Sequence, residues 1–238
     1  MVSAKGGRRQ CLAPGYNAYS CIVLDMLEAP PEEFAKYSRE VVVDLMNAYR
    51  ADVGALSAYL AYLQGILSSL PLSLKIELEV TTPLLVHVRN PYMPLEIGLA
   101  WHPIFNAPYI PATTIKGALR AAASGEVCGR KAADLFGEKD EAGALIVTDA
   151  LPITESVLGA DVITPHYKEP NAVEEHKVKP TPIVFPVVKP GARFAFFIAS
   201  EDGGLAGCVG GLLKLVDAAL QKGLGAKTRV GYGRSKKL

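Results

Sequence analysis

The rhythm of apolar and polar residues changes sharply near Pro71. Beyond it Leu74, Ile76, Leu78 and Val80 alternate with Lys75, Glu77, Glu79 and Thr81, the period-two pattern of a half-buried strand. Before it, Phe34, Tyr37, Val41, Leu45, Ala48 and Tyr49 recur at helical spacing. Pro31, Glu32 and Glu33 suit a helix start, with proline in the first turn and acids at the positive end of the dipole. Gly54 is the expected break between two helices, and Pro71 the expected end. Residues 1 to about 30, rich in glycine and proline, read as irregular.

Downstream, residues 83–111 read as a long loop. "ATTIKGALRAAA" starts a helix with Thr113 or Thr114 as its N-cap, and "GRKAADLFG" is a second helical piece. "GALIVTDA" (143–150) reads as a strand. In "ARFAFFIAS" (192–200), Phe194, Phe196 and Ile198 alternate with Arg193, Phe197 and Ala199, another strand. A helix from about 205 to 222 follows, and "TRVGYGR" is the expected last strand. Between these strands lie Pro165, Pro170, Pro180, Pro182, Pro186 and Pro190, a connection long enough to be functional. The fold class is therefore α+β: residues 1–70 form an irregular and helical extension, and 71–238 a ferredoxin-like (RRM-like) βαββαβ domain with a long proline-rich insertion.

Composition narrows the function only locally. The 238 residues carry a formal net charge of +1, so no global charge points to nucleic acid. From Gly223 onward, however, Lys227, Arg229, Arg234, Lys236 and Lys237 meet no acid. Cys11, Cys21, Cys128 and Cys208 lack zinc spacing; reduced thiols in a cytoplasmic protein, with no metal and no cofactor, are the expectation. No apolar stretch follows the basic N-terminus before Pro14, so it does not read as a signal peptide. Val53–Leu74 lacks charge but is diluted by Gly, Ser, Gln and Pro, which favours a helix packed on protein over a membrane span.

Two stretches carry candidate chemistry. "GLGAKTRVGYGR" (223–234) sets Lys227 and Arg229 among glycines that admit positive φ and close approach, an arrangement able to grip phosphate; Tyr232 could stack on a base or sugar. It reads equally well as a glycine C-cap and a solvated tail. In "PYIPATTIKGALRAAA", Lys116 and Arg120 lie four apart near a helix N-terminus. The plainer reading is an amphipathic helix with Ile115 and Leu119 inward. Asp149 reads as a strand-end acid bonded to nearby backbone. His102 and His166 lie in loops beside aromatic residues and could serve metal-free RNA cleavage.

The order of "PYIPATTIKGALR", "GALIVTDALP", "ITPHY", "PTPIVFPVV" and "GLGAKTRVGYGR" resembles the RAMP superfamily of CRISPR proteins. Within it, "ITPHY" and "PTPIVFPVV" are similar to the terminal backbone-subunit family of type III-B Cmr effector complexes. The likeness covers roughly Leu72 to Arg234, with Ala112, Thr113 and Thr114 standing where Gly-Ser-Ser is more usual. It implies a non-catalytic subunit near the 3′ part of the CRISPR RNA, with target RNA and fellow Cmr subunits as partners and no membrane. The helical N-terminal segment would face those subunits. Thr113, Thr114, Lys116, Arg120, Lys227, Thr228, Arg229, Tyr232 and Arg234 would then carry RNA contacts. The alternative within the superfamily is a metal-independent CRISPR-RNA processing endoribonuclease using His102 or His166.

Overall fold

The computed structural model describes residues 12, 15–28, 30–90, 93–139, 141–164 and 182–238. Its helices are α1 (Ala18–Glu28), α2 (Phe34–Ala48), α3 (Val53–Leu67), α4 (Ala112–Ala122), α5 (Ala132–Phe136) and α6 (Val209–Lys222). Its strands are β1 (Leu72–Val80), β2 (Trp101–His102), β3 (Ala107–Pro108), β4 (Ile146–Val147), β5 (Leu151–Pro152), β6 (Leu158–Ile163), β7 (Ile183–Val188), β8 (Arg193–Ser200) and β9 (Ser235–Lys237).

The alternating stretch is the long strand β1, and the main sheet is built on it. β8 pairs antiparallel along one edge of β1, from Leu72↔Ser200 to Glu79↔Arg193. β9 pairs antiparallel on the other edge, from Leu78↔Lys237 to Val80↔Ser235. β4 and β5 extend the sheet beyond β8, giving the order β4-β8-β1-β9 with β5 also on β8. The protein is thus a mixture of helices and antiparallel sheet. Glu79 joins the three central strands: its carboxylate meets Arg193 Nε at 3.0 Å and Lys236 Nζ at 2.9 Å. Those hydrogen bonds hold its pKa below the usual glutamate value.

Ile76, Leu78 and Val80 are buried on the apolar side of β1. β8 departs from alternation: Ala195, Phe197 and Ala199 are as buried as Phe194, Phe196 and Ile198. Both faces of β8 are therefore covered, and α3 packs against β8 and β5. On the chain's other helical layer, α4 packs on α6, and α6 on β9.

The N-terminal region differs from the irregular expectation, because Ala18–Glu28 is helical. The helix break also falls elsewhere. α2 stops at Ala48, and Asp52 caps α3 by accepting from Ala55 N–H at 3.0 Å, so Gly54 lies inside α3. The side-chain cap, rather than the missing side chain, decides the boundary. Among the described residues no helix is long and apolar enough to cross a membrane. α3 buries Leu56, Leu60 and Leu67, while Tyr62 and Ile66 stay exposed.

The two expected loops contain strand. β2 and β3 form a short hairpin within 83–111. β6 and β7 form a ribbon from Leu158↔Val188 to Ile163↔Ile183 at the two ends of the proline-rich stretch, and α2 packs against it. Pro186 is accommodated in β7, whose edge away from β6 is bridged by Leu84 at Val188, two residues beyond the proline.

Asn106 knots the extension to the hairpin. Its Oδ1 accepts from Ala18 N–H at 2.8 Å and from Trp101 Nε1–H at 3.2 Å, and its Nδ2 donates to Tyr16 O at 2.9 Å. Its backbone carbonyl accepts from the buried Tyr49 hydroxyl at 2.8 Å. Its φ of 48° is left-handed, a conformation asparagine tolerates better than most residues.

No described cysteine is a free thiol. Cys128 and Cys208 form a disulfide, with Cα atoms 5.6 Å apart across a sequence separation of 80. This corrects the expected reduced thiols; the pairing needs the loop after α4 to meet the start of α6, which no local spacing announces. Replacing Cys128 and Cys208 together by serine is expected to cost about 2–4 kcal/mol of stability. Thermal melting of the oxidised proteins checks this, and a variant that melts with the wild type would show the bridge to be energetically idle.

Candidate nucleic-acid interface

The helix motif and the glycine motif, about a hundred residues apart in sequence, meet at one groove. Its volume is about 560 Å³. One wall is the segment after β1, with His87 and Arg89; another is α4, with Thr114 and Ala118; the third is the glycine loop, with Gly223, Gly225 and Thr228.

The α4 wall is set by helical geometry. Ile115, Leu119 and Ala122 are buried, leaving Thr114 and Ala118, one turn apart, on the groove side. Neither Thr113 nor Thr114 is the N-cap. Pro111 takes that position, and the Asp149 carboxylate accepts from Ala112 N–H at 2.6 Å. An acid supplied from β4's exit therefore satisfies the helix end, as expected for Asp149 but not for the threonines. Thr113 is exposed at this end.

Lys116 and Arg120 leave α4 elsewhere. Lys116 Nζ donates to Leu145 O at 3.0 Å, and Arg120 Nη1 donates to Gly137 O at 3.1 Å. They tie the segment between α5 and β4 to the helix and do not line the groove.

The glycine loop folds onto the segment after β1. Ala226 N–H donates to Leu85 O at 2.7 Å, Gly233 N–H to Pro83 O at 2.8 Å, and Leu224 N–H to Gly233 O at 2.9 Å. A Cβ on Gly225 would sit 2.3 Å from Leu85 O, and one on Gly233 2.0 Å from Leu224 O. The close approach at Gly233 is thus to the protein's own backbone, which corrects the expectation that it clears space for RNA. Gly231, at φ 96°, has nothing within 4 Å of such a Cβ; only its backbone angle requires glycine.

"TRVGYGR" is also not a strand. Thr228–Val230 is a single 3-10 turn, and β9 begins at Ser235, so Lys236 and Lys237 belong to the sheet and not to a loose tail. Lys227 enters that turn at a left-handed φ of 58°, with its carbonyl accepting from Val230 and Tyr232 N–H groups. Its ammonium lies 5.0 Å from the Phe185 ring centroid and 5.2 Å from that of Tyr232, within cation–π range of both. The Tyr232 hydroxyl donates to Asp161 of β6, and that bond, with burial second, pushes its pKa up to about 12. Tyr232 and Lys227 therefore strap the glycine loop to the β6–β7 ribbon, and the tyrosine is not presented as a free stacking platform. Arg229 and Arg234 are exposed.

His87 and Arg89 were not foreseen as site residues. They lie in the stretch 83–111 that reads as a loop, with no motif to mark them; β1 has already ended at Val80, and His87 takes a left-handed φ of 57°. His102 lies in a second, smaller cavity beside Asp149. Its Nδ1 accepts from Phe105 N–H at 3.3 Å, and burial, partly opposed by Asp149, holds its pKa below the usual histidine value. His166 lies outside the described residues. No cluster of three or more metal-ligating side chains occurs among the described residues.

A family model described as the RAMP superfamily matches residues 77–236. The CRISPR system CMR subunit Cmr6 of Saccharolobus solfataricus is 31% identical over 209 residues, covering 84% of this chain and 71% of that protein. The CRISPR system Cmr subunit Cmr6 of Pyrococcus furiosus is 32% identical over 112 residues, covering 42% of this chain and 32% of that protein. A chain in the cryo-EM structure of the type III-B Cmr-beta bound to cognate target RNA shares the fold, with TM-score 0.77 over 94% of this chain and 91% of its own, at 24% identity.

Two outcomes follow from the loop geometry. Gly233→Ala should lower the melting temperature severely, because backbone must move, whereas Gly231→Ala should cost only about 1–2 kcal/mol of left-handed strain. Equal losses would remove the distinction. Tyr232, followed by tyrosine Cζ NMR, should ionise near pH 12 in the wild type and at distinctly lower pH in Asp161→Ala, where burial alone still raises it. Because its folded pKa is raised, the stabilisation from this bond is complete below about pH 10 and is lost as pH climbs toward 12.

Proposed function

The chain belongs to the RAMP superfamily, and from that membership we propose that it is a non-catalytic, RNA-binding structural subunit of a type III-B Cmr CRISPR effector complex. It holds the 3′ region of the CRISPR RNA and caps the backbone of the assembly. Its partners are CRISPR RNA, target RNA and other Cmr subunits, in the cytoplasm. The core is ferredoxin-like on this reading: β1, α4, β4, β8, α6 and β9 supply the βαββαβ order, and β1 lies between β8 and β9.

The groove is the observation that carries the proposal. Two motifs converge on it, its lining holds the cation Arg89, the imidazole of His87 and the hydroxyls of Thr114 and Thr228, and exposed Arg229 and Arg234 lie on the loop that forms its wall. Among the described residues no acid is in its lining. That is a surface for a phosphate backbone, whose contacts position without reading sequence. Thr113, Lys116 and Arg120 flank it; the two cations keep spare N–H donors after their bonds to carbonyls. Lys227 and Tyr232 shape the loop. A cleavage site would need an acid–base pair, and among the described residues the groove lining offers a single imidazole.

Arg89→Ala combined with Arg229→Ala should weaken binding of CRISPR RNA and lower the slope of log affinity against log salt by about 2, roughly one for each lost phosphate contact. Filter binding across a salt series measures it, and wild-type slope and affinity would remove the groove from the RNA path. In the same preparations with EDTA, labelled CRISPR RNA should stay intact. A discrete cut that vanishes in His102→Ala or His166→Ala would instead establish the processing endoribonuclease.

A further inference from the structure

The second cavity, of about 270 Å³, has a different chemical character from the groove. Tyr59 and Leu63 of α3 form one wall; His102, Thr148 and Asp149 supply the polar atoms. A run of rings leads into it: Tyr62 to Tyr59 at 6.4 Å between centroids, Tyr59 to Phe105 at 4.7 Å, Phe105 to His102 at 4.7 Å, and His102 to Tyr109 at 5.5 Å.

Asp149 is the charge in this cavity. One carboxylate oxygen accepts from Ala112 N–H, and the dipole at the start of α4 offsets about half a unit of charge. Among the described residues no Lys or Arg lines the cavity and Asp149 has no ion pair. The two titratable neighbours that feel it are His102 and Tyr109. Burial keeps His102 below its ordinary pKa and raises the Tyr109 hydroxyl, so both are neutral near pH 7 and neither balances the carboxylate. The α3 side is uncharged as well: the helix carries no charged residue from Val53 to Leu67, and Tyr62 and Ile66 are 63% and 50% exposed.

An unpaired carboxylate among aromatic faces, beside an uncharged helix, is complementary to a guanidinium. That group is planar, stacks on rings, forks its hydrogen bonds onto a carboxylate and sheds water more readily than an ammonium. RNA would bring phosphates to a carboxylate with no cation in the lining to hold them. We propose that this cavity receives an arginine side chain from a neighbouring protein subunit, stacked on Tyr59 and bonded to Asp149. The inference rests on the reading of the chain as a subunit of an assembly.

The test uses the full chain co-expressed with the other subunits of the complex. Asp149→Asn removes the charge while keeping an oxygen for Ala112 N–H, and Tyr59→Leu removes the ring while keeping an apolar wall. A photoactivatable benzophenone residue in place of Tyr62 reports what covers that side of α3. The expected result is a melting temperature like the wild type's for Asp149→Asn alone, with at least tenfold weaker binding to the neighbouring subunit. The benzophenone should cross-link to a peptide of that subunit containing an arginine. Replacing that arginine by alanine should cause no further loss in the Asp149→Asn background. Cross-linking to RNA or to this chain itself, or wild-type binding by Asp149→Asn, would overturn the arginine pocket and leave the subunit reading intact. Failure of the wild-type chain to associate with any other subunit would overturn both.

Discussion

Two stretches of backbone, the exit of β1 and the loop after α6, lie closer together than side chains allow, and the interface depends on that approach. Ala226 and Gly233 donate to Leu85 and Pro83, and glycine occupies the points where a Cβ would strike a carbonyl. The bonds use donors and acceptors that a loop would otherwise leave to water. They also set where the chain goes next: Arg234 accepts from Thr81 N–H and Thr82 N–H, and β9 then adds to the edge of β1. The floor of the groove and the closing edge of the sheet are consequences of one contact.

α4 divides its surface among three tasks, and the division follows from 3.6 residues per turn. Ile115, Leu119 and Ala122 enter the core, Thr114 and Ala118 face the groove, and Lys116 and Arg120 hold the stretch from Gly137 to Leu145. Asp149 then fastens the helix start to the end of β4. The cations that look most like ligand-binding residues on a helical wheel are thus partly occupied by the protein's own carbonyls.

The strands β1 and β8, the helices α2, α4 and α6, and their order were legible because apolar periodicity is local and strong there. That "ATTIKGALR" and "GLGAKTRVGYGR" belong together came from the family resemblance; both border the groove, but of the residues named for RNA contact only Thr114 and Thr228 line it. What was hidden is what depends on distant neighbours. Phe194, Phe196 and Ile198 alternate with Arg193, Phe197 and Ala199 in the sequence, yet Phe197 and Ala199 are as buried as the other set. Thr113 reads as a cap until Asp149 arrives from another element. Cys128 and Cys208 read as separate thiols until α6 comes beside the loop after α4. Arg89 carries no motif at all and joins the site only because the segment after β1 runs along the groove.

Asn106 joins the hairpin to the extension through both ends of one amide, accepting at Oδ1 and donating at Nδ2. Its importance is therefore chemical as well as geometric. Deamidation would leave the shape of the side chain almost unchanged but replace the nitrogen by a charged oxygen facing the Tyr16 carbonyl. A donor would become an acceptor opposite an acceptor. Ageing of one side chain by loss of ammonia would then loosen the start of α1 from the hairpin, with no change of size and no residue lost.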